Sequence, residues 1–404
     1  MNNRNDFNIL QDKWLKESSI RSAWERAGED IATQKVDLSL GNPTLVPPSK
    51  KMIRELKKAL SGKIPNNFFA YIDNAGHQIA RKAVSKDLNK SKYFNSLLTE
   101  KNIVMTPGAS GAINSIFSSI LNASDEVIIL SPYFVDYPKY VLNYFSVPKI
   151  VYLEPPFFDI DIDLISKAIT LQTKAIVINS PNNPTGKVYS EEKLIQLAKL
   201  LNKKSREIGN IIYLISDEVY REIIYDDFEF FSPCAYYDNS IMVYSFSKSL
   251  NIPGERIGYA AINPKLKNSE MLYELIKLSN RTSGFANAPS FFQRIIPNLL
   301  PLELDNRKYI KARKKIASAL KKSGFEYLIP DGSFYFFVKL PIREEKFTEI
   351  MNRNGLYTVN SKPFGIEGYF RIAFCVPEEI IDLACIKIIE IGNKLKKINS
   401  RNLR

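Results

Sequence analysis

The sequence predicts an α/β protein: a large domain with a mostly parallel seven-stranded sheet between helices, plus a smaller α+β domain. Three observations point there. Seven short apolar runs recur: NIVMT (102–106), EVIIL (126–130), KIVYL (149–153), KAIVIN (174–179), IIYLIS (211–216), IMVYSF (241–246) and GYAAI (258–262). They are uniformly apolar and rich in β-branched residues, as strands covered on both faces are. The stretches between them carry helical patterning, so helical crossovers join parallel strands. Beyond about residue 295 the texture changes, and a charged helical stretch (303–322) leads into FEYLI, SFYFFVKL, LYTV and YFRIAF. The expected division is 46–294 for the large domain, and 1–45 with 295–404 for the small one. A leading segment that short cannot bury a core of its own.

With 404 residues the chain exceeds one ordinary domain, and 45% hydrophobic with 25% charged content is globular composition. No apolar leader opens it, and no apolar run approaches the ~20 residues that span a bilayer. A cytoplasmic protein is expected, with no membrane partner. Cys234, Cys375 and Cys385 fit no metal-site spacing and are expected as thiols of a reducing compartment. The single histidine, His77, leaves no His-based metal site and no Ser-His-Asp triad. Proton transfer then falls to lysine, tyrosine or a carboxylate, and His77 is expected at the surface or at an interface. The net charge of +13 is spread over stretches such as KARKKIASALKK and NKLKKINSRNLR. No zinc finger or RNP motif accompanies it, so solvated helix faces are expected and no nucleic acid partner.

In open parallel sheets ligands gather at the carboxyl ends of the strands. The residues after each run are therefore the candidates. NIVMT is followed by PGASGAINSIFSSI, a glycine turn entering a helix. Ala109 and Ser110 stand where a helix N-terminus offers free N–H groups to a phosphate, although Pro-Gly also makes an ordinary turn. EVIIL is followed by SPYFVDYP, whose aromatics either fill the core or lie flat on a planar ring. KAIVIN is followed by SPNNPTG, a tight polar turn in which the Asn183 amide can donate to a ligand oxygen. IIYLIS is followed by DEVY. Asp217 there is a carboxylate at the mouth of a buried strand, costly unless a cation faces it; the alternative is a helix N-cap. Tyr220 is expected one helical turn later, on the same side. IMVY is followed by SFSKSLNIPGER. Lys248 becomes a nucleophilic amine if its pocket is dry. Arg256 can clamp a phosphate in bidentate fashion, and Ser245 adds a hydroxyl.

Together these are a phosphate cup, an aromatic surface, an amide, a carboxylate, a phenol and a lysine. A phosphorylated pyridine aldehyde needs such parts at once: an amine to form an imine, and an acid whose charge keeps the ring nitrogen protonated.

The motifs SLGNP, YIDNAGHQIAR, TPGASGA, SPYFVDY, NSPNNPTG, ISDEVY, SFSKSLNIPGERIGY, GSFYFF and RIAF stand in this order from residue 39 to 374. Over nearly the whole chain the sequence resembles the fold-type I pyridoxal 5'-phosphate enzymes, the class I/II aminotransferases, and most of all their bacterial aspartate aminotransferase branch. The resemblance implies an aspartate aminotransferase-like fold. It implies an enzyme that moves an amino group from an L-amino acid to a 2-oxo acid such as 2-oxoglutarate by a ping-pong Schiff-base route. It assigns Lys248 to the covalent hold on the coenzyme and to proton transfer between substrate Cα and C4′. Asp217 pairs with the pyridine nitrogen, Asn183 and Tyr220 bond the ring O3′, and Phe134 takes the stacking place. Ala109, Ser110, Ser245 and Arg256 hold the phosphate. Tyr71 reaches in from a second subunit, which implies a homodimer with shared active sites. Arg371 binds the substrate α-carboxylate, and Gly41 lets the backbone approach the substrate.

Two departures bear on specificity. Gly41-Asn42-Pro43 stands where the family usually has Gly-Glu-Pro, and residues 112–120 contain no lysine or arginine for a side-chain carboxylate. Arg281 can supply that contact across the dimer; the alternative is a surface arginine. Elimination or decarboxylation chemistry on the same site, and a non-catalytic binding or regulatory protein of the same fold, are the competing functions.

Overall fold

The computed structural model describes residues 14, 35–61, 64–302 and 304–402, with side chains to 397. The chain divides into two compact units, one of residues 46–307 and 330–333, the other of 1–45, 308–329 and 334–404. The expected limit at 294 falls inside the helix Ser290–Leu299. That helix buries Phe292, Ile295, Ile296 and Leu299 in the core of the first unit, which is why the unit runs further than the sequence texture suggests. Of the segment expected to join the small domain, residues 1–13 and 15–34 lie outside the described residues.

The strands are β1 (Val36–Asp37), β2 (Ile103–Thr106), β3 (Glu126–Ser131), β4 (Val147–Tyr152), β5 (Thr173–Asn179), β6 (Tyr213–Asp217), β7 (Ser240–Ser245), β8 (Gly258–Ile262), β9 (Tyr335–Lys339), β10 (Leu356–Tyr357), β11 (Val359–Asn360) and β12 (Tyr369–Ala373). In the first unit β2 to β8 form one seven-stranded sheet in the order β2-β8-β7-β6-β5-β3-β4. All pairings are parallel except those of β8, which runs against both β2 and β7. Alternate residues of β2, β7 and β8 enter opposite cores. Val104, Val243 and Ala260 pack with the helix Gly108–Ile120 and the helix Ser269–Asn280. Ile103, Met105, Met242, Tyr244 and Tyr259 pack with the helices Gln78–Ser91 and Ser290–Leu299. Two buried faces are what uniformly apolar runs require. The connecting helices start and stop on local signals. Glu191–Ile208, for instance, is capped by the Ser190 side chain accepting from the Lys193 N–H, and ends at Gly209 with φ 72°.

In the second unit β11-β12-β9 form an antiparallel sheet, and β1 pairs in parallel with β10. LYTV is not one strand: the chain changes partner at Thr358, pairing with β1 before it and with β12 after it. FEYLI meets β9 through a single bridge, Tyr327 to Val338. The charged helix is Arg307–Ser323. Among the described residues no helix is long and apolar enough to cross a membrane.

Candidate active site

Adjacent strands of the large sheet bring their last residues into line. Asn179 at the end of β5 stands beside Asp217 at the end of β6, and Asp217 beside Val243 of β7. Ser245, the last residue of β7, stands beside Gly258, which in turn pairs with Thr106 at the end of β2. The motifs that follow these strands therefore converge at one edge of the sheet.

Asp217 is 6% exposed and its Oδ2 accepts a 2.5 Å hydrogen bond from the Tyr137 hydroxyl. Its Oδ1 is buried and has no hydrogen-bond partner among the described residues. Burial pushes the carboxyl up from 3.8 to about 6, against the Tyr137 bond, the Val219 amide and the charge of Lys248. The alternative of an N-cap fails, because the residues after Asp217 form a turn and no helix begins there. The same turn carries Tyr220, so the buried phenol is placed by a turn and not by the expected helix.

Lys248 is half-buried on the short helix Phe246–Ser249. Its Nζ lies 6.0 Å from the centre of the Tyr220 ring. Ser245 caps that helix, its Oγ accepting from the Ser247 N–H at 3.2 Å and lying 2.7 Å from the Ser247 hydroxyl. Asn183 is buried, and its backbone N–H donates to Asn179 Oδ1 at 2.7 Å. Asn179 in turn donates from Nδ2 to the Asp217 carbonyl at 2.9 Å. One side chain thus ties the asparagine turn to the aspartate strand.

The start of the helix Gly108–Ile120 lies beside Arg256. No side chain caps this helix, so its first N–H groups point outward. Ala109 and Ser110 are half-buried there. The exposed Arg256 guanidinium donates to the Pro107 carbonyl at 3.3 Å and to the Pro253 carbonyl at 2.9 Å. A Cβ on Gly108 would sit 2.8 Å from Arg256 Nη2, and Gly108 has φ 71°, so a side chain here would strain the backbone and push the guanidinium aside. Ser110 also bonds the hydroxyl of Tyr140, whose pKa burial raises.

Of the remaining candidates, Phe134 borders this cluster through Tyr137. Phe134 is half-buried, packed edge-on against Tyr137 with ring centres 5.5 Å apart. Tyr71 is 92% exposed. Its segment is nonetheless held: Arg294 donates to the Phe68 carbonyl, Asn287 to Ile72, Asn280 to Asn74 and Arg81 to Gly76. Arg281 is exposed in the π-helical turn Arg281–Phe285. In the second unit Arg371 is 2% exposed, and its Nη2 donates to the Ser39 carbonyl at 2.6 Å. Its guanidinium lies over the rings of Tyr335 (4.5 Å) and Phe364 (4.9 Å). A Cβ on Gly41 would come within 1.9 Å of the Tyr335 hydroxyl, so this position needs glycine. His77 is half-buried outside the strand-end cluster, and burial lowers its pKa with help from Arg294.

Two residues of this cluster are absent from the sequence reading as functional groups. Tyr137 is one of three aromatics in SPYFVDY, and nothing in that spelling says which one turns toward an acid. Asn179 closes an apolar run and reads as its polar end.

The family model for aminotransferase class I and II matches residues 33–388. A probable aspartate aminotransferase of Methanocaldococcus jannaschii is 32% identical over 94% of this chain and 98% of its own. The aspartate aminotransferase of Thermotoga maritima is 28% identical over 91% of this chain and 93% of its own. Among solved structures, an amino transferase from Eubacterium rectale superposes with a TM-score of 0.89 at 32% identity, covering 96% of this chain and all of the other. The aspartate aminotransferase of Thermus thermophilus solved with maleate gives 0.80 at 26% identity, covering 92% and 96%. Members of this family use pyridoxal phosphate and act on small molecules. Strand topology, the strand-end cluster and these relatives together place the chain in the class I and II aminotransferase family, as an enzyme that transfers amino groups.

Proposed function

We propose that the strand-end pocket takes up pyridoxal 5'-phosphate and that the enzyme moves the amino group of an L-amino acid, aspartate first among candidates, to a 2-oxo acid such as 2-oxoglutarate. The observation that carries this reading is Asp217 Oδ1, a buried carboxylate oxygen with no partner among the described residues, in a pocket that also feels the charge of Lys248. A buried acid of this kind asks for a cation, and a protonated pyridine nitrogen is one. An uncapped helix end with a guanidinium beside it suits a phosphate.

When bound, the coenzyme supplies an aldehyde that condenses with amines and a ring that withdraws electrons from the substrate Cα. Lys248 would hold the coenzyme covalently and, once freed, would carry the proton that the substrate Cα gives up. Asp217 would face the ring nitrogen, Asn183 and Tyr220 would bond its ring oxygen, and Phe134 would offer a stacking surface. Ala109, Ser110, Ser245 and Arg256 would bind the phosphate. Arg371 is assigned the substrate α-carboxylate: a planar fork braced by two aromatic rings suits a bidentate carboxylate better than a lysine would. Gly41 keeps the neighbouring backbone free of a side chain. Tyr71, exposed on a pinned segment beside the exposed Phe69, is assigned to the phosphate of a second copy, which makes the working unit a homodimer. The reading also takes the enzyme to be cytoplasmic.

The aspartate assignment rests on the named relatives, one of them solved with a four-carbon dicarboxylate. A panel of twenty amino donors with 2-oxoglutarate tests it. Aspartate is expected to give the highest turnover with stoichiometric glutamate; ammonia with pyruvate would identify a lyase instead. Arg281 is assigned the side-chain carboxylate. Arg281→Ala is expected to lower kcat/KM for aspartate about 10- to 100-fold, one charge-assisted bond, and to leave alanine turnover alone. Unchanged aspartate kinetics would remove Arg281 from the site.

A further inference from the structure

Asp217 has two carboxylate oxygens in different situations, and a tyrosine grips one of them. The Tyr137 hydroxyl is buried and donates to Oδ2 at 2.5 Å, while Oδ1 accepts from no described residue. Tyr137 opens the helix Tyr137–Leu142, and its N–H is tied to the Phe134 carbonyl at 3.1 Å. The Phe134 ring meets the Tyr137 ring edge-on. The residue offered for stacking and the residue that grips the acid are therefore in direct contact.

We propose that Tyr137 is a positioning residue for the amino-transfer reaction: it occupies Oδ2 of Asp217, leaves Oδ1 as the only oxygen for the coenzyme nitrogen, and keeps the shared proton on that nitrogen. The inference rests on the proposed coenzyme site. Its chemistry follows from the basicity of the pair. An O–H donor stabilises the ionised carboxylate and makes it a weaker base. In a pair of weak base and pyridine, the proton stays on the pyridine. Burial raises the Tyr137 pKa well above 10, so the phenol remains a donor throughout the working range. Without that donor Asp217 is more basic, the proton moves onto the carboxylate, and the ring loses the charge that draws electrons from Cα.

The test uses holoenzyme loaded with coenzyme enriched in 15N at the ring nitrogen. Tyr137→Phe removes one oxygen and leaves the ring packing with Phe134 in place. At one pH slightly above neutral, the wild-type nitrogen is expected at the protonated pyridinium shift, and the variant is expected to move toward the neutral pyridine value. Turnover should fall about 10- to 100-fold, the size of one hydrogen bond to a charged group, with KM nearly unchanged and the melting curve still cooperative. A ring-nitrogen shift equal to wild type would overturn the inference while leaving the coenzyme site intact. A second measurement covers the case of a poorly folded variant. On an Asp217→Asn background the tyrosine has no carboxylate to act through, so Tyr137→Phe is expected to add no further shift; an additional shift would count against the inference. Wild-type protein that takes up no coenzyme would sink the underlying reading and this one with it.

Discussion

Replacing Lys248 with alanine is expected to abolish turnover, by at least about 10⁴-fold, since one side chain serves as both the nucleophilic amine and the proton carrier. Borohydride reduction followed by peptide mass spectrometry should find the coenzyme on Lys248 in the wild type and on no residue in the variant. The variant should fold, because Lys248 is only half-buried and the short helix that bears it is capped by Ser245. Label on any other lysine, or residual turnover within about tenfold of wild type, would contradict the assignment of this residue. The experiment separates the strand-end lysine from the many surface lysines of a chain whose net charge is +13.

Asp217→Asn has two expected effects of opposite sign. Turnover should fall on the order of 10³-fold, as when a fixed electrostatic partner of the reacting system is removed. The protein without coenzyme should become more stable. The Asp217 carboxyl rises from 3.8 to about 6 on folding, mainly through burial. Between those values the native state holds more protons than the unfolded one, so stability declines as pH rises through that window. Above it the ionised acid costs the coenzyme-free protein about 3 kcal/mol, from about two pH units at about 1.4 kcal/mol each. Asparagine carries no such charge. Calorimetry on coenzyme-free protein should show the variant melting higher than wild type above pH 6 and alike below pH 4. Adding coenzyme should reverse the order at neutral pH. A coenzyme-free variant that melts lower than wild type at pH 7 would mean that Asp217 is already satisfied by the protein.

The sheet was legible because most of its strands are buried on both faces. Uniform runs such as EVIIL and IMVYSF can only sit between two layers, and each recurs as a strand within a residue or two of its expected place. The candidate site was legible because such a sheet places function after its strands, so Asn183, Asp217 and Lys248 could be found by looking there. What the sequence hides is pairing between distant positions. Tyr137 and Asp217 are 80 residues apart, and Asn179 reaches a carbonyl 38 residues away. Periodicity reports which face is buried, not which polar atom meets which. The same holds for Arg221, fully buried among Glu218, Glu222 and the rings of Tyr93 and Tyr244. In the sequence it is one more charge in DEVYRE. For a related reason the expected limit at 294 and the end of the first unit at 307 differ: helix Ser290–Leu299 carries apolar residues whose destination its own pattern does not name.

Asn179 has a consequence for how a ligand enters. By accepting from the Asn183 N–H and donating to the Asp217 carbonyl, it joins the asparagine turn to the aspartate strand through the protein's own bonds. Tyr137 does the same for the acid itself. Bonds of this kind, made within the protein, reduce the share of a ligand's binding free energy that goes to ordering the chain around it.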